Sequence, residues 1–269
     1  MVRAEAKQAA ASAEGSRLLH ALARVGFVVL GVVHAIIGVL AFAITRDPDD
    51  AEVDQTGALL AIARTPIGGV LLWVIAIGLL ALCAWEVLET ILVPGRDRPR
   101  RWARRIPEFA KAVAYAVVGV LALVFALGGR PSAAESGYDL SATLIAVPGG
   151  AWLLIAVGLG TLAVGVGFVV AGVLRRFREY LRMPTGAWGA AVTLVGVAGY
   201  VGKGIALGVV GVLVVIGAAM ADPRAASGLD GALTELVTKP SGELLVWISG
   251  AGLILYGLFC LLRARYARL

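Results

Sequence analysis

Five ionisable side chains fall inside apolar runs, and their types bound the chemistry open to this protein. His34 stands halfway along the first run, Glu86 and Glu89 near the end of the second, Lys111 at the start of the third and Lys203 in the fifth. A charge at the bilayer centre costs about 2.5–3.5 kcal/mol on insertion scales, so each one needs a partner or a route to water. Glu86 and Glu89 are three residues apart and project from nearly one helix face. Counting from Pro66 at about 1.5 Å per residue puts Glu86 roughly 30 Å along its helix, the depth that Lys111 and Lys203 also reach. One reading is a lysine–glutamate pair between segments that locks helices or gates a proton or ion path. The other is snorkelling lysines and glutamates at the wet end of a helix. A single histidine cannot form a bis-histidine haem site. The His34 ring therefore donates to a backbone carbonyl of a neighbouring helix or relays protons.

Other chemistry is missing from the sequence. It has no Walker-type phosphate loop, no HExxH, no paired CxxC and no nucleophile elbow. Cys83 and Cys260 sit within apolar runs, where packing is expected and a disulfide framework is not. No catalytic residue, metal ligand or cofactor site is indicated, so the reading is non-enzymatic. The formal charge of +6 is spread in short basic clusters between apolar stretches. Clusters placed so read as topology signals, not as a nucleic-acid surface.

The elements that must position these residues follow from composition. Hydrophobic residues make up 59% of the chain and charged residues 16%, against about 25% charged in soluble domains. Six runs approach the roughly 20 apolar residues needed to span hydrocarbon: Val25 to Ile44, Val70 to Leu92, Ala110 to Leu127, Ala151 to Leu174, Gly199 to Met220 and Leu244 to Leu262. The stretch from Trp188 to Met220 is too long for one span, so Trp188 to Val197 is expected as an interfacial helix with a bend near Gly196 and Gly199. The polar lead before Val25 argues for a retained first span, not a cleaved leader. Eighteen of the 24 basic residues fall on one side, including Arg96 to Lys111, Arg175 to Arg182 and Arg263 to Arg268. The positive-inside rule makes that side, with both termini, cytoplasmic. Basic segments such as RPRRWARR around Trp102 are expected to contact anionic lipid.

The runs repeat as pairs. Aligning Pro66, Pro148 and Pro240 superposes Gly68, Gly150 and Gly242, then Ile62, Leu144 and Leu236, then Gly78, Gly160 and Gly252. The odd-numbered runs align through Gly38, Gly119 and Gly211. Each unit is a helix going out, an outer loop with a short amphipathic helix, and a helix returning. Units that cross twice share one orientation. An all-α integral membrane fold follows: a six-span bundle of three parallel two-helix repeats with approximate three-fold symmetry about the membrane normal. Glycines line its helix contacts, with Gly158, Gly165 and Gly172 on the fourth span, Gly204, Gly208 and Gly211 on the fifth, Gly31 and Gly38 on the first and Gly119 on the third.

The triplicated GALxxLxxxPxG pattern with glycine-bearing odd helices resembles the bacterial membrane family called domain of unknown function 1206. It does so from about Arg24 to Arg268. The resemblance implies a six-span inner-membrane protein and supplies no catalytic residue to carry over. The second unit departs from it most, with Asp139, Leu140 and Ser141 where GAL stands elsewhere. The chain divides into a cytoplasmic arm over 1–23, repeat 1 over 24–94, a basic loop and repeat 2 over 95–178, and an interfacial helix and repeat 3 over 179–269. Two functional readings fit: a non-enzymatic scaffold or accessory subunit with a protein partner, and a small transporter or channel for a proton, cation or lipid-like solute.

Overall fold

Hydrocarbon offers backbone amides no partner but each other, so apolar runs of this length must become helices. The structure, a computed structural model, describes residues 17–46, 52–92 and 98–268, with side chains at 20–46, 52–88 and 109–268. Among these residues are nine α-helices, one 3₁₀ helix and no strand. Six are long and apolar enough to cross a membrane: α1 (Arg17–Ala43), α3 (Gly68–Leu92), α4 (Arg98–Ala126), α6 (Gly150–Val173), α7 (Gly186–Met220) and α9 (Gly242–Tyr266). Three shorter helices precede the returning spans: α2 (Gln55–Ala63), α5 (Ala133–Ala146) and α8 (Leu229–Val237). Arg3 and Lys7 of the expected arm, and the side chains of Glu89 and of the segment around Trp102, lie outside the described residues.

The repeated proline motif is one turn made three times. The carbonyls of Ile62, Leu144 and Leu236 accept from the N–H groups of Thr65, Val147 and Lys239 at 3.0, 3.2 and 3.0 Å. Gly68, Gly150 and Gly242 press against those same carbonyls, and a Cβ at any of the three would collide with them. That contact explains why glycine recurs two residues after each proline. The prolines themselves sit in the turn, just before the returning helix begins.

Two expected boundaries differ. The segment over Trp188 to Val197 is no separate interfacial helix, because α7 runs unbroken through 35 residues. Gly196 and Gly199 make room for neighbours instead of breaking the helix. A Cβ on Gly199 would lie 2.7 Å from Tyr256 Cα, and one on Gly196 would meet the Phe177 ring. Likewise, the basic segment from Arg98 forms the first turns of α4, not a loop.

Glycine also sets the spacing between spans. Along α6 and α7, a Cβ at Gly158 would lie 2.9 Å from the Gly211 oxygen, and one at Gly165 2.7 Å from the Gly204 oxygen. The heptad spacing read from the sequence is thus a seam of backbone-to-backbone contact. The packing order is α1–α3–α4 on one arc and α6–α7–α9 on the other, with α9 closing against α1. Between α4 and α6, the two spans of the middle unit, there is almost no contact. The outer helix joining them, α5, has 14 residues where α2 and α8 have nine each.

The outer loops interlock. Ser132 Oγ donates to Glu52 Oε1 at 2.9 Å, the Val53 N–H donates to Asp230 Oδ1 at 2.6 Å, and Ser141 Oγ donates to the Ala226 carbonyl at 3.0 Å. Each loop therefore holds the other two. Partial burial lifts the Asp230 carboxyl above the usual aspartate range; the Val53 bond opposes this, and the charges of Asp54 and Glu52 add to it. An acid whose pKa rises on folding stabilises fully below its unfolded value and loses that contribution as pH climbs through the folded one. Acidification from pH 7 toward about 4 should therefore favour the wild type relative to Asp230→Asn. Thermal unfolding of both proteins across that range checks this, and parallel pH profiles would contradict it.

On the opposite face, a 3₁₀ helix over Arg176–Tyr180 follows α6. The chain beyond it pairs with the C-terminal segment through Leu181 and Ala267. Trp188 Nε1 donates to the Tyr266 hydroxyl at 2.9 Å across the same junction.

Candidate functional site

The polar residues are positioned by one contact that recurs wherever a unit meets the next. Gly38, Gly119 and Gly211 hold the same place in α1, α4 and α7, and Leu80, Leu162 and Ile254 each stand fourteen residues after the unit's proline. A Cβ at Gly38 would lie 2.7 Å from Ile254 Cγ1, at Gly119 3.1 Å from Leu80 Cγ, and at Gly211 2.6 Å from the Leu162 nitrogen. The returning span of each unit thus packs on the outgoing span of the next, and the third unit closes on the first.

Two turns closer to the basic side, the same junctions carry different chemistry. Eight residues before each of those glycines stand Leu30, Lys111 and Lys203; twenty after each proline stand Glu86, Phe168 and Cys260. Between units 1 and 2, Lys111 Nζ lies 3.1 Å from Glu86 Oε2, with the glutamate side chain 1% exposed and the lysine 34%. Between units 2 and 3, the Lys203 ammonium stands 4.9 Å from the Phe168 ring centroid. Between units 3 and 1 the pair is Cys260 with Leu30, both buried.

Phenylalanine in place of a carboxylate turns Lys203 toward the first unit. Its Nζ is 3.0 Å from His34 Nε2 and 4.1 Å from the centroid of Tyr256. His34 Nδ1 is 2.8 Å from the Leu30 carbonyl one turn back in its own helix, not from a carbonyl of a neighbouring helix. A proton on Nδ1 makes that bond, so Nε2 carries the lone pair that accepts from the ammonium. No carboxylate pairs with Lys203 among the described residues.

The two rings that face this charge, Phe168 and Tyr256, belong to a larger aromatic cluster. Tyr200, Tyr256, Phe168, Phe177 and Phe259 touch one another at centroid separations of 5.0–6.4 Å. Arg263 stacks 4.3 Å from the Phe27 centroid. Each ring contact to a desolvated cation contributes about 2 kcal/mol. Of the five residues singled out by sequence, the structure brings Glu86 to Lys111 and His34 to Lys203. Tyr115, Tyr200, Tyr256, Phe168 and Arg263 were not anticipated. The signal was available: reading the lysine and glutamate positions across all three units puts Phe168 opposite Lys203.

The glycines take their places around this core. Gly31 faces Gly257, Gly38 faces Gly250, Gly119 faces Leu80, and Gly172 faces Tyr200. Gly208 has the most room of the set, with Leu162 Cδ1 3.8 Å from a built Cβ. Among the described residues no group of three or more His, Cys, Asp or Glu could hold a metal ion.

Comparison with known proteins agrees with the threefold reading of the chain. The family model described as Domain of Unknown Function (DUF1206) matches three times, at residues 25–92, 108–175 and 198–267. The uncharacterized protein YxxB of Bacillus subtilis (strain 168) is 33% identical over 247 residues, which cover 90% of this chain and 89% of the relative. No solved structure matches the chain.

Proposed function

The chain belongs to the Domain of Unknown Function (DUF1206) family of multi-span membrane proteins, and from that premise we propose that it is a non-enzymatic scaffold or accessory subunit. It would sit in a bacterial inner membrane with both termini in the cytoplasm. Approximate three-fold symmetry about the membrane normal is part of the same proposal. The three equivalent junctions, Gly38 with Ile254, Gly119 with Leu80 and Gly211 with Leu162, support it. Eighteen basic residues on the side of the termini support the orientation.

One observation carries the scaffold reading. Span α6 is the least covered of the six, with 17% of its apolar window buried. Its far side from α7 exposes Ala156, Gly160, Ala163 and Gly167, at the spacing of one helical stripe. A Cβ at Gly160 or Gly167 meets nothing within 4 Å. Flat stripes of this kind let helix backbones approach, whereas lipid gains nothing from them. A partner helix docking there would give glycine a role it lacks inside the chain.

Gly160→Leu together with Gly167→Leu should leave the fold and melting behaviour intact and abolish stoichiometric recovery of a partner in mild detergent. If a partner is recovered equally well with the double variant, the docking face is wrong. If the wild type recovers none, the scaffold reading fails.

A second reading has its own support. The interior His34–Lys203 pair, with partial exposure at both residues, favours a small carrier or channel. Its test is solute or proton flux in proteoliposomes, which His34→Leu should reduce severalfold. Flux unchanged by that substitution would remove it.

A further inference from the structure

Beyond the scaffold reading, and independent of it, lies the question of what balances Lys203. An ammonium has three donors. Here one meets an imidazole nitrogen, and the neighbouring surfaces are the Tyr256 and Phe168 rings. Its counterpart Lys111 meets a carboxylate at 3.1 Å. Lys203 stands 17 residues from the outer end of α7 at Met220, about 25 Å along the span, and so about one turn inside the cytoplasmic boundary of the hydrocarbon. Aromatic rings and an imidazole attract the charge but supply no countercharge, and an uncompensated charge within hydrocarbon is costly.

The surroundings are deep but not sealed. His34, Phe168, Tyr200 and Lys203 each retain partial exposure although they line the interior of the bundle. The ring of spans is interrupted between α4 and α6. Phe168 belongs to α6, and Val157 and Val164, on the same side of that helix, are more than half exposed. Past the cytoplasmic end of α6, Arg175, Arg176, Arg178 and Arg182 are all exposed. Each basic residue near such a surface attracts anionic lipid by about 1 kcal/mol.

We propose that the cleft between α4 and α6 is an intramembrane binding site for one carboxylate or phosphate anion, which enters laterally and occupies beside Lys203 the place that Glu86 fills beside Lys111. The tail of an anionic amphiphile would lie along the apolar side of α6, and its head would reach the ammonium past the arginine rim. A free anion in the same cleft offers the same chemistry without the tail contact, so the two sources must be separated by experiment.

The test uses the full chain, delipidated in a neutral detergent, with oleate and dioleoyl phosphatidic acid as amphiphilic probes and acetate and inorganic phosphate as free anions. Binding is counted by native mass spectrometry and followed by the shift in melting temperature. The wild type should take up one amphiphile and melt at a higher temperature. Lys203→Met should weaken that uptake about tenfold or more, as loss of a charge-assisted contact requires. Phe168→Glu, which supplies an internal carboxylate, should weaken it equally and raise the melting temperature of the ligand-free protein. Lys239→Met, at an exposed lysine of the outer loop, should leave uptake unchanged. Saturation by acetate or phosphate as readily as by the amphiphiles, lost in both site variants, keeps the anion site and assigns it to a free solute. Uptake of any probe that both Lys203→Met and Phe168→Glu leave unaltered overturns the proposal, as does a wild type that binds none of the four. If Lys203→Met fails to fold, Phe168→Glu decides alone.

Discussion

Replacing Gly165 with leucine will destabilise the bundle by more than about 3 kcal/mol and sharply reduce the folded protein recovered from membranes. The first added atom decides this. A Cβ at Gly165 would stand 2.7 Å from the Gly204 oxygen and 2.9 Å from the Gly208 nitrogen. Both obstacles are backbone, so no rotamer change relieves them, and α6 and α7 would have to move apart along their whole seam. Lipid cannot compensate, because the association of spans rests on close packing rather than on escape from water. The control lies in the same helix: Gly160→Leu adds the same side chain into open space and should cost almost nothing. Recovery and melting temperature in detergent measure both, and equal behaviour of the two variants would refute the packing described for α6.

The ion pair between the first two units gives the second large effect, and its two partners should respond unequally. Glu86 is 1% exposed while Lys111 retains 34%. Lys111→Met removes the ammonium from a sealed carboxylate and should cost about 3 kcal/mol. Glu86→Gln leaves a lysine whose stem can carry its charge toward the headgroups, and should cost about 1 kcal/mol. The double variant should be more stable than the sum of the two losses predicts, by about 1–2 kcal/mol. Melting curves of the four proteins provide the cycle. Strict additivity would mean that the pair is a coincidence of depth, not a contact that joins the units.

Much of the fold could be read from residues alone, for physical reasons that differ by element. Bilayer thickness fixes the length of an apolar run, so the six spans emerge within a few residues of their ends. The turn at Pro66, Pro148 and Pro240 is legible because each copy needs glycine against the same carbonyl. Helix continuity was harder. Gly196 and Gly199 look like breakers in α7, but they are sites where Phe177 and Tyr256 press against the helix, and sequence does not distinguish these uses. The opening between α4 and α6 left a faint trace, since the middle unit is the one whose outer loop departs from the shared pattern and grows a longer helix. At the site, depth brought Glu86 and Lys111 together on paper. His34 and Lys203 are 169 residues apart and belong to the first and last units, so their meeting depends on the third unit closing onto the first.

That closure is the claim on which the rest stands, and it can be measured across the outer ends of α1 and α9. Trp247 Nε1 donates to Thr45 Oγ1 at 3.3 Å there, between side chains that are half-buried and exposed. In a protein with Cys83 and Cys260 replaced by alanine, cysteines at Thr45 and Trp247 should be joined within one molecule by a short bifunctional thiol reagent in native membranes. The product should be a faster-migrating monomer. If the reagent instead links only separate molecules, or leaves both thiols unjoined while each reacts alone, the first and last spans are not neighbours. The ring of units, with the site inside it, would then be wrong.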